Sequence, residues 1–123
     1  MNRILIVDDS MFMRLSLKQI LQRNGFEVVA EGENGAKGVE LYKRFKPDLV
    51  TLDITMPEMD GLEALINIKK INPDAKAIMI SALGQESFVK QAIMNGAKSF
   101  IVKPYKEEFV INVIRKIIGS GGM

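Results

Sequence analysis

The chain has 123 residues, of which 47% are hydrophobic and 26% are charged, the size and balance of one compact domain rather than a disordered chain. Its 17 basic and 15 acidic residues are scattered along the sequence, which argues against direct nucleic-acid binding. Cysteine and histidine are absent, so disulfides, thiolate or imidazole metal ligands and histidine-assisted catalysis are excluded. Any chemistry must therefore come from carboxylates, hydroxyls and lysines.

The two ends of the sequence frame a single domain. Residues 1–7 lead directly into Asp8 and Asp9, so they lack the long apolar segment of a signal peptide or a membrane span. We therefore expect a cytoplasmic protein without membrane insertion. Residues 119–123, rich in glycine, are predicted to form a flexible tail after a domain that covers residues 1–118.

Short apolar runs alternate with helical patterns along the chain. Strand-length runs rich in Ile and Val cover residues 4–7, 26–30, 49–52, 77–80 and 99–102. Apolar residues at helical spacing follow each run: Met13, Leu17, Ile20 and Leu21; Ala36, Val39 and Tyr42; Leu62, Leu65 and Ile66; Phe88, Val89, Ala92 and Ile93; and Phe109, Val110, Val113, Ile114, Ile117 and Ile118. Asn-Gly pairs at residues 24–25 and 95–96 predict helix ends. Continuous apolar runs are typical of strands covered on both faces, so we predict an α/β fold with a parallel sheet between helices.

Polar residues follow four of the five predicted strands directly. Asp8 and Asp9 follow the first strand, Asp53 the third, Ser81 the fourth, and Lys103 with Pro104 the fifth. Ligands of open parallel sheets bind outside the carboxyl ends of the strands, so we expect these side chains to share one site.

The residue types at this edge favour phosphoryl chemistry beside a metal ion. Three neighbouring carboxylates repel each other, and a divalent cation relieves that repulsion. Mg²⁺ fits best because it binds one or two carboxylates together with waters and phosphate oxygens, although Ca²⁺ or Mn²⁺ could substitute. An aspartate such as Asp53 can attack phosphorus if the charge on the transferring oxygens is neutralised, a role open to Lys103. Ser81 could then bond to a phosphate oxygen and draw its own loop inward as the signal.

Each of these residues, taken alone, has a simpler interpretation. Asp8 and Asp9 suit helix capping, Asp53 and Ser81 suit loops or turns, and Lys103 suits a solvated surface. Phe100 suits the core, and six methionines suit adaptable packing better than metal binding: Met11, Met13, Met56, Met59, Met79 and Met94. The joint placement of the polar residues at strand ends favours the shared site.

Four segments carry a family resemblance: LIVDD at residues 5–9, LDITMPEMDG at 52–61, ISA at 80–82 and KP at 103–104. In these segments the chain resembles the receiver domain of response regulators, and the match spans almost the whole chain. The resemblance implies a doubly wound (βα)5, flavodoxin-like three-layer sandwich with strand order 2-1-3-4-5, an order for which chemotaxis receivers are a standard example.

The same resemblance assigns a role to each site residue. Asp53 would be the phosphoryl acceptor, and Mg²⁺ would bind Asp8, Asp9, Asp53 and the backbone carbonyl of Thr55, with Asp9 more directly involved than Asp8. Lys103 would pair with phosphoryl oxygens and Ser81 would be the switch hydroxyl. Phe100 would be the aromatic ring that follows Ser81, in place of the tyrosine frequent in chemotaxis receivers, and small Ala82 would leave the acceptor accessible. The Lys103–Pro104 peptide bond should be cis.

The residues around Asp53 and Ser81 look most like the chemotaxis type of receiver. This type implies a histidine kinase as phosphodonor, a phosphatase as a further partner, and the flagellar motor switch as the target of a face built from the fourth helix, fifth strand and fifth helix. Three alternatives stay open: a receiver separated from a DNA-binding domain, a haloacid-dehalogenase-type phosphatase and a flavodoxin-like cofactor binder. The phosphatase needs a second acid where Thr55 stands, and the cofactor binder needs a glycine-rich loop after the first strand.

Overall fold

Five β-strands alternate with five α-helices in the computed structural model, which describes residues 2–118. The strands are β1 (Arg3–Val7), β2 (Glu27–Gly32), β3 (Leu49–Leu52), β4 (Ala77–Ser81) and β5 (Ser99–Val102). The helices are α1 (Met11–Arg23), α2 (Gly35–Phe45), α3 (Gly61–Ile71), α4 (Glu86–Met94) and α5 (Glu107–Ile118). The strands form one parallel sheet in the order β2-β1-β3-β4-β5, which confirms the predicted doubly wound fold.

Two apolar cores, one on each face of the sheet, give the molecule three layers. Successive residues of β1 divide between them, with Leu5 and Val7 in one core and Ile4 and Ile6 in the other. The first core packs against α2, α3 and α4, and the second against α1 and α5. Residues that alternate along a strand point to opposite faces, so both faces of a central strand must be apolar. This burial explains the continuous apolar runs in the sequence.

Some predictions about individual elements were wrong. Strand β2 covers Glu27–Gly32 and not residues 26–30, and it begins after Phe26 because the Phe26 amide donates to the Leu21 carbonyl of α1 instead of to a neighbouring strand. Met11 and Met94 are 74% and 78% exposed, so the packing role predicted for them does not apply. Ile93 and Phe109 are also exposed despite their positions in apolar helical patterns. The predicted tail, residues 119–123, lies outside the described residues.

The helix ends follow the predicted punctuation. Asn24 and Asn95 are the C-terminal caps of α1 and α4, and the glycine after each has a positive φ, +90° at Gly25 and +101° at Gly96. Glycine adopts this left-handed conformation without steric cost, which is why it ends helices so often. Between residues 2 and 118, every helix is too short or too polar to cross a membrane.

Candidate functional site: an acidic cluster at the carboxyl edge of the sheet

The central strands β1 and β3 bring the acidic residues together. Val7 pairs with Leu52 at the ends of these strands, so Asp8 and Asp53 emerge side by side. The Asp53 amide donates to the Val7 carbonyl at 3.0 Å, which continues the sheet hydrogen bonding beyond β3. Carboxylate oxygens of Asp8, Asp9 and Asp53 all lie within 4.8 Å of one another. Asp8 and Asp53 are buried and Asp9 is exposed, so the cluster opens to solvent on the Asp9 side.

Lys103 crosses from β5 to the buried pair of carboxylates. Its Nζ donates to Asp8 Oδ2 at 2.7 Å and to Asp53 Oδ2 at 3.1 Å. Burial by itself would lower the pKa of Lys103, but the hydrogen bond with Asp8 and the charges of Asp53 and Asp8 outweigh burial and raise that pKa above its usual value. Lys103 is therefore a fixed ammonium group beside the candidate acceptor.

The loop after Asp53 returns so closely to the strand that it requires glycine. The Ile54 amide donates to Asp53 Oδ1 at 2.7 Å, and the Gly61 amide donates to the Ile54 carbonyl at 2.8 Å. A Cβ atom at Gly61 would lie 1.9 Å from the Asp53 carbonyl oxygen, a distance that no side chain can occupy. Gly61 thus allows α3 to begin against Asp53.

Helix α2 holds the same loop from its other side. The Gly35 amide donates to the Met59 carbonyl at 2.9 Å, and Asn34 Nδ2 donates to Glu58 Oε2 at 3.2 Å. A Cβ atom at Gly35 would lie 2.1 Å from the Met59 carbonyl oxygen. Glu58 has a φ of +69°, an uncommon conformation for a residue other than glycine. The loop after Asp53 is therefore fixed by contacts on two sides.

The predicted switch residues lie along β4 and β5 at the same edge. Ser81 is fully buried, and its Oγ accepts a hydrogen bond from the Leu83 amide at 3.1 Å. The Lys103 amide donates to the Ser81 carbonyl at 2.9 Å, so the two residues occupy neighbouring strand ends. Ala82 is exposed, and Phe100 is half-buried against the core that faces α4. The Lys103–Pro104 peptide bond is cis, the isomer that the family resemblance implies.

The chemistry of the donors fits a hard divalent cation. Three carboxylates face one ammonium group, which leaves an excess of negative charge at the cluster. Asp9 is the carboxylate without a hydrogen bond or ion pair to any other residue of the described chain. Thr55 lies in the exposed part of the loop after Asp53. An all-oxygen set of this kind suits Mg²⁺.

Sequence patterns alone did not identify Arg14, Gly35 and Gly61 as contributors to the site. Arg14 Nη1 donates to the backbone carbonyl of Asp8 at 2.7 Å. An arginine on the polar side of a helix has the same sequence signature as a solvated surface charge, so no signal distinguished it. The roles of the glycines depend on close approaches between segments distant in sequence. Only the Asp-Gly pair at the start of α3 offered a local hint.

Comparisons with known proteins agree with this geometry. The model of the response regulator receiver domain family matches residues 4–115. The chemotaxis protein CheY of Bacillus subtilis is 60% identical over 95% of this chain and 98% of its own length. CheY of Thermotoga maritima is 52% identical over 94% of this chain and 96% of its own length.

A solved structure of a relative shares this fold. The CheX–CheY–BeF3–magnesium complex from Borrelia burgdorferi contains a chain that superposes with a TM-score of 0.91 at 44% identity, over 94% of this chain and 87% of that chain. The family match and the relatives both cover nearly all of the described residues. The chain therefore belongs to the response regulator receiver family, and its receiver domain is of the CheY type.

Proposed function

We propose that this chain is a phospho-accepting response regulator of a two-component system, of the chemotaxis type, in which Asp53 receives a phosphoryl group. The observation that carries the proposal is the meeting of Asp8, Asp9 and Asp53 within 4.8 Å of one another, with Lys103 Nζ 3.1 Å from Asp53. The chain has no histidine, so the donor is a separate histidine kinase.

The transfer is a nucleophilic displacement at phosphorus. A carboxylate oxygen of Asp53 attacks the phosphorus of the donor phosphohistidine and forms a phosphorus–oxygen bond. The phosphorus–nitrogen bond breaks, and its electron pair leaves with the imidazole, which takes up a proton. The ammonium group of Lys103 is placed to neutralise oxygens of the phosphoryl group in transit.

We assign the metal role to Mg²⁺, held by Asp8, Asp9, Asp53 and the backbone carbonyl of Thr55. When bound, the ion would neutralise negative charge on the phosphoryl oxygens. Asp9 is expected to be the more direct ligand, because both carboxylate oxygens of Asp8 already accept hydrogen bonds from the protein. The donor set and its excess negative charge support this assignment.

Phosphorylation is converted into a signal on the β4 and β5 side. The hydroxyl of Ser81 would donate to a phosphoryl oxygen, which would draw the loop after β4 inward and let Phe100 turn into the space that opens. Ala82, with its small exposed side chain, leaves the acceptor open to the phosphodonor. Thr55 and Leu83 flank the acceptor, where side-chain choice would tune the lifetime of the phosphate.

The output surface that we propose consists of α4, β5 and α5. It carries four exposed apolar side chains, Ile93, Met94, Val102 and Phe109. A contiguous exposed apolar patch marks a site of protein interaction, and the chemotaxis relatives support the flagellar motor switch as the partner of this face. The Borrelia burgdorferi relative was solved with CheX, which supports a phosphatase as a further partner. Both partnerships imply a cytoplasmic protein.

The alternatives have less support. The cavity lined by Asp8, Asp53 and Lys103 measures about 10 Å³, which is too small to hold a flavin. A haloacid-dehalogenase-type phosphatase also needs an acid at Thr55, and turnover of a phosphate ester by the purified protein would restore that candidate. A coloured purified protein would restore the cofactor binder. A DNA-binding domain encoded downstream would favour the transcription regulator.

The test is incubation of the protein with a small phosphodonor and Mg²⁺, after which mass spectrometry of the intact protein measures the added phosphoryl groups. We expect wild-type protein to gain one phosphoryl group and Asp53→Asn to gain none. Asp74→Asn removes an exposed carboxylate that follows α3, far from the acceptor in sequence, and it should be phosphorylated like wild type. An adduct that persists in Asp53→Asn would reject Asp53 as the acceptor.

A further inference from the structure

The two adjacent aspartates of the cluster are held in very different ways. Each polar group of Asp8 has a partner: its amide donates to Gly32, its carbonyl accepts from Arg14, and its two carboxylate oxygens accept from Ser10 and Lys103. The Asp9 carboxylate has no such contact with any residue from 2 to 118. The direction of the Asp9 side chain therefore depends on its backbone.

Arg14 controls that backbone from the first turn of α1. Its Nη1 donates to the Asp8 carbonyl at 2.7 Å, and its Nε donates to Glu31 Oε1 on β2 at 3.3 Å. The Arg14 side chain is 13% exposed, so it is held against the protein rather than free in solvent. The other oxygen of Glu31 lies 3.4 Å from Lys18 Nζ.

We propose that Arg14, held by Glu31, is a positioning residue that aims Asp9 at the divalent cation. The Asp8 carbonyl and the Asp9 amide belong to one planar peptide unit, so a hydrogen bond that fixes the carbonyl also fixes the plane from which the Asp9 side chain departs. Arg14 touches neither the cation nor the phosphoryl group, and it acts only through this peptide. The inference rests on the proposed function, because it assumes that the carboxylates bind Mg²⁺.

Glu31 has a second task in this arrangement. A guanidinium group one peptide away from a cation site repels the cation, and the carboxylate of Glu31 offsets that charge. The planar guanidinium also reaches the Asp8 carbonyl and the Glu31 carboxylate with two nitrogens at once. A lysine ammonium is a single point of charge and cannot hold both acceptors in the same geometry. The positioning of Asp9 therefore requires Arg14 and its acidic partner Glu31 together.

The experiment is a titration of metal-free protein with Mg²⁺ alone. The amide NMR signals around Asp9 and Asp53 monitor binding and give the dissociation constant. Outer contacts that orient metal ligands commonly change metal affinity ten-fold or more, so we expect Arg14→Gln to raise the dissociation constant for Mg²⁺ roughly tenfold. Glu31→Gln should raise it several-fold, and Arg14→Lys should not restore wild-type affinity. Phosphorylation of Arg14→Gln at saturating Mg²⁺ should approach the wild-type rate, because the acceptor and Lys103 are unchanged.

Lys18→Gln is the matched control. It removes a basic residue of α1 that contacts Glu31 but not Asp8, and it should bind Mg²⁺ like wild type. Wild-type affinity in both Arg14→Gln and Glu31→Gln would overturn the inference and leave the metal site intact. A wild-type chain without Mg²⁺ affinity would overturn the metal site itself and the inference with it, so the two failures are distinguishable.

Discussion

Helices near the acidic cluster begin differently from the helix beside Ser81. Side chains cap the first turns of three helices: Ser10 accepts from Met13 in α1, Asn34 from Lys37 in α2, and Asp60 from Glu63 in α3. Helix α4 follows Gln85, whose side chain makes no cap hydrogen bond to the described chain. The orphan amide groups of a helix start need such partners, so the start of α4 is the less stable one.

Packing shows the same contrast. Helix α3 buries Gly61, Ala64, Leu65 and Ile68 against the sheet. Helix α4 has only nine residues and buries Ala92, while Ile93 and Met94 are 48% and 78% exposed. Since most helix stability in proteins comes from tertiary packing, α4 should open more readily than α3.

The contrast fits two requirements of the function proposed above. Phosphoryl transfer would need charges held in place before the reaction, and the contacts of Asp8, Asp53 and Lys103 hold such charges. Signalling needs an element with alternative arrangements close in free energy, which a weakly capped and weakly packed helix provides. Amide hydrogen exchange should therefore be faster in α4 than in α3.

Substitution of the two glycines that border these regions should give the largest difference. Gly61→Ala places a Cβ atom 1.9 Å from a backbone oxygen of Asp53, and we expect it to lower the free energy of unfolding by about 3 kcal/mol. At Gly84, the new Cβ would instead meet the Val102 side chain at 2.9 Å. A side chain can move, so Gly84→Ala should cost about 1 kcal/mol or less. Urea unfolding monitored by circular dichroism measures both losses, and equal losses would contradict tighter packing in the loop after Asp53.

Substitutions at the helix caps should have smaller effects on the free energy of unfolding. Asp60→Ala removes the side-chain acceptor of the Glu63 amide, and we expect a loss of about 1 kcal/mol in the free energy of unfolding. Gln85→Ala removes no cap and should stay within about 0.5 kcal/mol of wild type. Gln85→Asp should add a cap and slow hydrogen exchange in α4. If Gln85→Ala were as costly as Asp60→Ala, α4 would not be the weaker helix.

Charge repulsion within the cluster should make one substitution stabilising. Asp9→Asn removes a carboxylate that lies within 4.8 Å of two others and has no partner in the described structure. In metal-free buffer we expect the free energy of unfolding to rise by about 1 kcal/mol, and low salt should enlarge the gain. Saturating Mg²⁺ should reverse the order, since wild type gains more from the ion. Thermal unfolding with EDTA and with Mg²⁺ tests this, and a destabilised variant in EDTA would contradict the repulsion.

The fold could be predicted from the sequence because the strongest signals, the apolar runs of the strands, are local. Leu49–Leu52 and Ser99–Val102 match the predicted strands residue for residue. Leu49–Leu52 is buried along its whole length, and a strand covered on both faces gives a nearly continuous apolar run. Strand β2 at the edge of the sheet was placed too early, because Phe26 continues its apolar run while Glu31 interrupts it. Local patterns also could not show which methionines face solvent.

The site could be predicted to the extent that it depends on strand ends. Asp8, Asp53 and Lys103 meet because parallel strands end at one edge, a consequence of topology that the sequence pattern contains. The contacts of Arg14 with the Asp8 carbonyl and of Gly61 with the backbone of Asp53 depend on ångström-scale approaches between separate segments. Spacing along the chain does not encode those distances.

The smallest expected effect lies where the end of α1 meets the start of α5. Arg23 and Asn24 donate hydrogen bonds to Glu107, and these bonds lower the pKa of Glu107 from its usual value to about 2. A lowered pKa in the folded state stabilises the protein fully above the unfolded value near 4.5, and this contribution is lost as the pH falls toward 2. Wild type should therefore have a higher urea midpoint than Glu107→Gln at pH 6, and the difference should shrink between pH 4.5 and pH 2. Glu108→Gln, which loses no hydrogen bond or ion pair within residues 2–118, is the control, and a difference independent of pH would contradict the role of the Glu107 charge.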